Sequence, residues 1–300
     1  MRNRPLYDNE RYEYIVLDEA QDCSRTMIQV LLEILAKRGT FLYVGDMTQS
    51  IYGNRIPWSN LGMEVRGKVI KLEKNYRNTR QIANFSSEIV KGKYWDKDNG
   101  DILLPDKAQR DGSQPGTILF KNEDEEKAWL LKFVKKQLNA KSTTCVVRFN
   151  SNDCREIVNF FKQNDIEAMY VKNDDIDFNT QVLVSTFYSV KGLGFDNIII
   201  LNFDASIMNS VKGTLLAKGE RDIFATVASL FYVAATRAKD NLIITRIVSN
   251  QEEILTKFAK DGTYCDFNQM SNNRPLITKA KTCLDSEFNV IENMSKMIEK

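Results

Sequence analysis

The 300-residue chain is 43% apolar and 27% charged with a formal net charge of +2, the balance of a globular protein with room for one large or two ordinary domains. So small a net charge excludes a large basic field and leaves a local basic groove as the route to nucleic acid, and the absence of any histidine excludes histidine bases, triads and metal ligands. Cys23, Cys145, Cys154, Cys265 and Cys283 form no CxxC pair and fit reduced thiols of a cytoplasmic protein, and no apolar run is long enough for a signal core or a membrane span.

Residues 12–22 read YEYIVLDEAQD: four apolar or aromatic residues run straight into the adjacent carboxylates Asp18 and Glu19, predicting a buried strand with charges at its carboxyl end. Ser24 is a good N-cap; Met27, Leu31, Ile34 and Leu35 follow at helical spacing, with Gly39 as the stop. Residues 41–44 predict a second buried strand, ending at Gly45 and Asp46. Two apolar strands joined through a helix make a parallel α/β unit, and such sheets bind ligands outside the carboxyl ends of their strands, where both acidic loops lie. A third strand is expected at 69–72 and a helix from about Thr79, and residues 91–116, rich in Gly, Asp, Lys and Pro, read as a surface excursion. The rhythm then returns, with strands expected at 118–120, 145–149, 168–171, 181–186, 197–201 and 242–246 and helices at 125–138, 154–163 and 223–239. The last fifty residues are polar and helical in patches.

A carboxylate pair at a strand end suits nucleotide hydrolysis: the first can hold Mg²⁺ through water and the second can orient and deprotonate the attacking water. Taken alone, the pair reads more readily as an acidic loop ahead of a helix, where Asp favours the dipole. Its neighbours alter that balance. VGDMTQSIYG sets Gln49 just beyond the second strand, LEKNYRNT sets Tyr76 beside Arg77, and VSTFYSVKGLGF (184–195) and FYVAATRAKDNL (231–242) follow downstream. An aromatic face can stack on a base, and an arginine can neutralise charge on a transferring phosphoryl group.

These five stretches, in this order and over residues 12–245, resemble motifs II to VI of superfamily 1 helicases of the UvrD/Rep type. A DEAQ string also fits a DEAD-box-like protein, but TRAK stands where that group has an arginine-rich glycine motif; QSIYG points to the branch that moves 3′ to 5′. The resemblance implies RecA-like domains, parallel sheets flanked by helices, with ATP and Mg²⁺ in a cleft between them and single-stranded DNA as partner. It implies Asp18 as Mg²⁺ ligand, Glu19 as catalytic base and Gln49 as the link from the γ-phosphate to DNA. Tyr76 would stack on adenine, Gly192 and Gly194 would lie at the nucleotide, and Arg77 and Arg237 would reach the γ-phosphate. Tyr52 would stack on a DNA base, with Thr186 and Tyr188 at the DNA.

The departures are specific. Asn54 replaces an aromatic residue, for which Trp58 either substitutes or merely packs. Tyr188 replaces a His, and Gly194 a Glu that contacts the ribose in the family. The phosphate loop G-x-x-x-x-G-K-[ST] is absent: its nearest match, residues 62–69, lacks the Ser/Thr and opens no helix, and only seventeen residues precede Asp18. The expectation is the C-terminal portion of such a helicase: part of a first RecA-like domain (1–69), a second nearly complete one without a large insertion (70–250) and a polar tail (251–300). Its first partner is then the missing N-terminal half, and a nuclease or repair partner fits the same chemistry. By itself the chain is expected to be inactive. The competing reading is a non-hydrolysing helicase-like module that binds DNA or protein.

Overall fold

The computed structural model describes residues 10–51, 68, 70, 72, 74–90, 107–120, 122–171, 177, 179–203 and 223–247. They fall into two compact units, one reaching as far as Leu72 and the other running from Lys74 onward. Tyr52, Trp58 and the polar tail lie outside the described residues.

In the first unit β1 (Tyr12–Leu17) pairs in parallel with β2 (Leu35–Tyr43) across α1 (Arg25–Glu33), so the expected α/β unit forms. The Ser24 hydroxyl accepts the Met27 N–H at 3.3 Å, as an N-cap should. The helix is shorter than its periodicity suggests. It stops at Glu33, and Leu35 and Gly39 belong to the strand: Tyr12 N–H donates to Ile34 O at 2.9 Å and Tyr12 pairs with Leu35, so β1 draws this stretch into an extended ladder. Arg11 closes the helix end by donating to the Glu33 and Leu35 carbonyls. The first strand is also not buried. Tyr12, Tyr14, Val16, Leu42 and Val44 stand open on one face, while Ile15 and Leu17 on the other are half-buried. A parallel sheet is ordinarily covered on both faces, so an apolar face this open is unusual.

The second unit holds a six-stranded, all-parallel sheet in the order β5 (Gly116–Phe120), β10 (Ala238–Ile247), β9 (Phe195–Ile200), β6 (Thr144–Arg148), β8 (Val182–Thr186), β7 (Met169–Tyr170). Leu130, Phe133 and Val134 of α3 (Glu123–Asn139) and Cys154, Ile157, Val158 and Phe161 of α4 (Ser151–Lys162) share one core with Val146, Val184, Ile199 and Ile243 of the sheet. The alternate strand residues Val147, Leu183, Ile198, Ile200, Leu242 and Ile244 are buried too, as an apolar run in a two-faced parallel sheet must be. Asn122 and Asn150 cap α3 and α4 through 2.9 Å bonds from the Glu125 and Asp153 N–H groups. Most of these elements lie within a residue or two of the expected ones; α4 begins three residues and β10 four residues earlier than expected.

Two regions differ. No strand occupies the described residues of 69–72; Ile70 and Leu72 are exposed, and the strand is instead β3 (Lys74–Thr79), leading into α2 (Arg80–Val90). The supposed surface excursion contributes β4 (Lys107–Arg110), which pairs in parallel with β3. The last helix, α5 (Ile223–Ala235), packs on α2 and ends before Arg237, because β10 already begins at Ala238. Among the described residues no helix is long and apolar enough to cross a membrane.

Candidate functional site

In the first unit, Asp18 and Glu19 are both exposed at the carboxyl end of β1. Glu19 adopts a left-handed backbone, φ 50°, and its N–H donates to Asp18 Oδ1 at 2.8 Å. This conformation is uncommon for a residue with a Cβ and turns the chain sharply after the strand. Gln21, 1% exposed, then links the two acidic loops. Its Nε2 donates to Glu19 Oε2, and its Oε1 accepts the Asp46 N–H at 3.0 Å. Asp46 in turn accepts Thr48 N–H at 2.9 Å on Oδ1 and Gln49 Nε2 at 2.8 Å on Oδ2. Glu19 and Gln49, placed together by the sequence only through resemblance, are thus joined through Gln21 and Asp46. Sequence reasoning missed both connecting residues, although Gln21 closes the DEAQ string.

In the second unit, Arg77 and Tyr76 are exposed on β3, Tyr76 at 71%. Arg237 is 3% exposed and sits in the turn between α5 and β10, so it is not a surface residue of a helix. Its Nε donates to Val233 O at 3.0 Å, its NH1 to Leu193 O at 3.5 Å and its NH2 to Thr236 Oγ1 at 3.3 Å. The first of these satisfies a carbonyl of the last helical turn. Arg77 approaches the same loop: a Cβ built on Gly194 would lie 3.9 Å from Arg77 Nε and 3.7 Å from Lys239 Cε. The two arginines therefore converge on Leu193–Gly194. Gly192 is exposed at φ +81°, a conformation that favours glycine, and Gly194 is exposed beside the arginines. Asp196 lies two residues beyond Gly194. Burial alone would raise its carboxyl, but hydrogen bonds from the Thr143 N–H and hydroxyl, the charge of Lys239 3.7 Å away and a hydrogen bond from the Ser142 hydroxyl bring it below the ordinary value.

Thr186 is buried at the end of β8, and its hydroxyl is engaged with Ser189, accepting the Ser189 N–H at 3.1 Å and donating to Ser189 Oγ at 3.1 Å. Tyr188 is half-buried in the following turn. Among the described residues no three Asp, Glu or Cys side chains gather as a metal cluster.

The UvrD-like helicase C-terminal domain model matches residues 70–180 and 171–249, and the UvrD/REP helicase N-terminal domain model matches residues 6–57. With the C-terminal matches covering more than half of the chain, the protein belongs to the UvrD-like helicase family, and its parallel sheets flanked by helices are of the RecA-like kind. A protein of Acanthamoeba polyphaga mimivirus, named "Putative ATP-dependent DNA helicase R568", is 26% identical over 79% of this chain and 35% of its own length. DNA helicase II of Haemophilus influenzae is 32% identical over 27% of this chain and 12% of its own. The exonuclease/helicase subunit RexA of Lactococcus lactis is 34% identical over 27% of this chain and 8% of its own. The chain spans about a third or less of the length of these relatives.

Proposed function

We propose that this chain is the C-terminal part of an ATP-dependent DNA helicase that moves 3′ to 5′ on single-stranded DNA. The observation that carries the reading is the convergence of Arg77 and Arg237 on Leu193–Gly194. Two guanidinium groups directed at one exposed glycine loop suit the charge of a transferring phosphoryl group, where positioning and electrostatics supply most of the catalysis. Glu19 orients and deprotonates the water. Gln21 and Asp46 hold Glu19 in relation to Gln49, which senses the γ-phosphate. Tyr76 offers an exposed face to adenine.

Mg²⁺ is ordinarily held by one or two carboxylates together with phosphates and water, and the exposed Asp18 fits as that carboxylate. The ion supplies neutralising charge at the phosphate oxygens when bound. The phosphate-cradling loop is not in this sequence, so the chain works with the remainder of a first RecA-like domain. The likeness to an exonuclease/helicase subunit supports a nuclease partner, and the same chemistry serves repair.

The competing reading, a non-hydrolysing helicase-like module, is favoured by one observation: Arg237 is already occupied by backbone carbonyls and acts as a helix cap. Competition of Mg·ATP and Mg·ADP for a fluorescent nucleotide, bound to the chain joined upstream of Tyr12 to a helicase segment that carries a phosphate loop, separates the two. The helicase reading expects a preference for ATP that Arg77→Ala and Arg237→Ala each reduce. Equal competition by ATP and ADP, unaffected by either substitution, contradicts it.

A further inference from the structure

We infer that Asn78 is a positioning residue that locks Arg77 and Arg237 into one unit. The inference rests on the nucleotide reading above and adds a residue to it. Asn78 is 3% exposed and directly follows Arg77. Its Nδ2 donates to Thr236 O at 2.9 Å and to Ala238 O at 2.5 Å, the carbonyls on either side of Arg237. Holding both flanking peptides fixes the direction in which the Arg237 side chain leaves the backbone. The other end of the amide is fixed as well: Asn78 Oδ1 accepts Asn75 Nδ2 at 2.9 Å. Asn75 Oδ1 accepts the Arg77 N–H at 3.0 Å and the Asn78 N–H at 3.1 Å. One pair of asparagines therefore sets the backbone of both arginines.

Arg110 braces the same junction from the exposed side. Its NH2 donates to Arg77 O at 2.9 Å and to Lys239 O at 3.0 Å, and its NH1 pairs with Asp240 at 2.8 Å. Between them, Asn78 and Arg110 engage backbone carbonyls at 77, 236, 238 and 239, and Phe195 N–H takes that of Arg237 at 3.0 Å. The fork also joins β3 to β10, which lie in separate sheets. It acts where the relation of two side chains must not drift, since a displacement of about 1 Å in a positioned group can cost roughly a hundredfold in rate.

The test uses the same nucleotide competition on the same joined protein, with Asn78→Ala, Asn78→Asp, Arg237→Ala and the Asn78→Ala/Arg237→Ala double variant. Asn78→Asp keeps the shape and removes both donors. The expected result is a loss of ATP-over-ADP preference of roughly tenfold in both Asn78 variants, as for a charge-dependent contact, with the double variant no worse than Arg237→Ala alone. Thermal melting monitors folding. Should either Asn78 variant melt below the assay temperature, Arg110→Ala replaces it, because an exposed ion pair contributes little to stability. Loss of preference in Arg237→Ala with none in the Asn78 or Arg110 variants overturns the inference and leaves the nucleotide reading intact. Additive losses in the double variant overturn it too, since Asn78 would then act independently of Arg237. Absence of any ATP preference in the wild type overturns both.

Discussion

The backbone of Gly45 passes so close to Gln21 that a Cβ at position 45 would lie 2.6 Å from Gln21 Oε1 and 3.2 Å from its backbone nitrogen. The contact matters because this amide ties Glu19 to the Asp46 loop. Gly45→Ala should push the buried amide out of its bonds and lower stability by about 1–3 kcal/mol, measured by denaturant unfolding. A Gly45→Ala protein as stable as the wild type would show that Gln21 can relax without cost, and that Glu19 is held by other means.

Glu126 gives the second unit a pH dependence of known sign. Burial raises its carboxyl above the ordinary 4.5, against the pull of the Thr245 hydroxyl, Arg148 and the Asn202 N–H. The folded protein therefore holds this proton more tightly than the unfolded chain. The stability so contributed is fully present below pH 4.5 and is lost as pH rises through the raised folded value. Asp196, lowered in the folded state, runs the other way: its contribution is present above 3.8 and lost in acid. Glu126→Gln keeps an acceptor for the Asn202 N–H and has no charge to bury. Melting temperatures of wild type and Glu126→Gln should diverge in favour of the variant as pH rises from 4.5 toward neutrality. Parallel profiles would remove Glu126 as the cause.

The 300-residue chain alone should hydrolyse essentially no ATP, with or without DNA. Nothing in its sequence supplies the glycine-rich N–H cradle, lysine and hydroxyl that hold β- and γ-phosphates in line with water. Clear turnover that disappears in Glu19→Gln would contradict this and direct attention to residues 62–68.

DNA binding should be dominated by backbone charge and stacking. Affinity for single strands should fall with salt, and Tyr52→Ala should weaken it by roughly 1–3 kcal/mol in a titration at fixed ionic strength. Unchanged affinity in Tyr52→Ala would remove the ring from the DNA contact.

The central sheet was legible because β6, β8 and β9 are apolar runs covered on both faces, a pattern that depends little on context. β3 and β4 were not. KNYRNT and KAQR carry no apolar alternation, and the junction of β3 with β10 is held by the side chains of Asn78 and Arg110, which reach residues more than 120 positions away. The end of α5 was overrun for a similar reason. Residues 223–239 keep a helical pattern, but the Thr236 hydroxyl donates back to Tyr232 O and Val233 O, and β9 captures the chain from Ala238. The chemistry-bearing residues Glu19, Gln49, Arg77 and Arg237 could be picked out from motif order. The residues that orient them could not, because Gln21, Asp46, Asn78 and Arg110 gain meaning only from their partners in space.

The most direct test of the whole account is single-turnover ATP hydrolysis with single-stranded DNA. It uses the chain joined upstream of Tyr12 to a helicase segment carrying a phosphate loop, as wild type and as Arg237→Ala. If Arg237 acts on charge in the transition state, the substitution lowers the rate roughly 10³-fold or more while nucleotide affinity falls far less. A near-normal rate in Arg237→Ala would contradict the account and leave Arg237 as the helix cap that its bond to Val233 O already makes it.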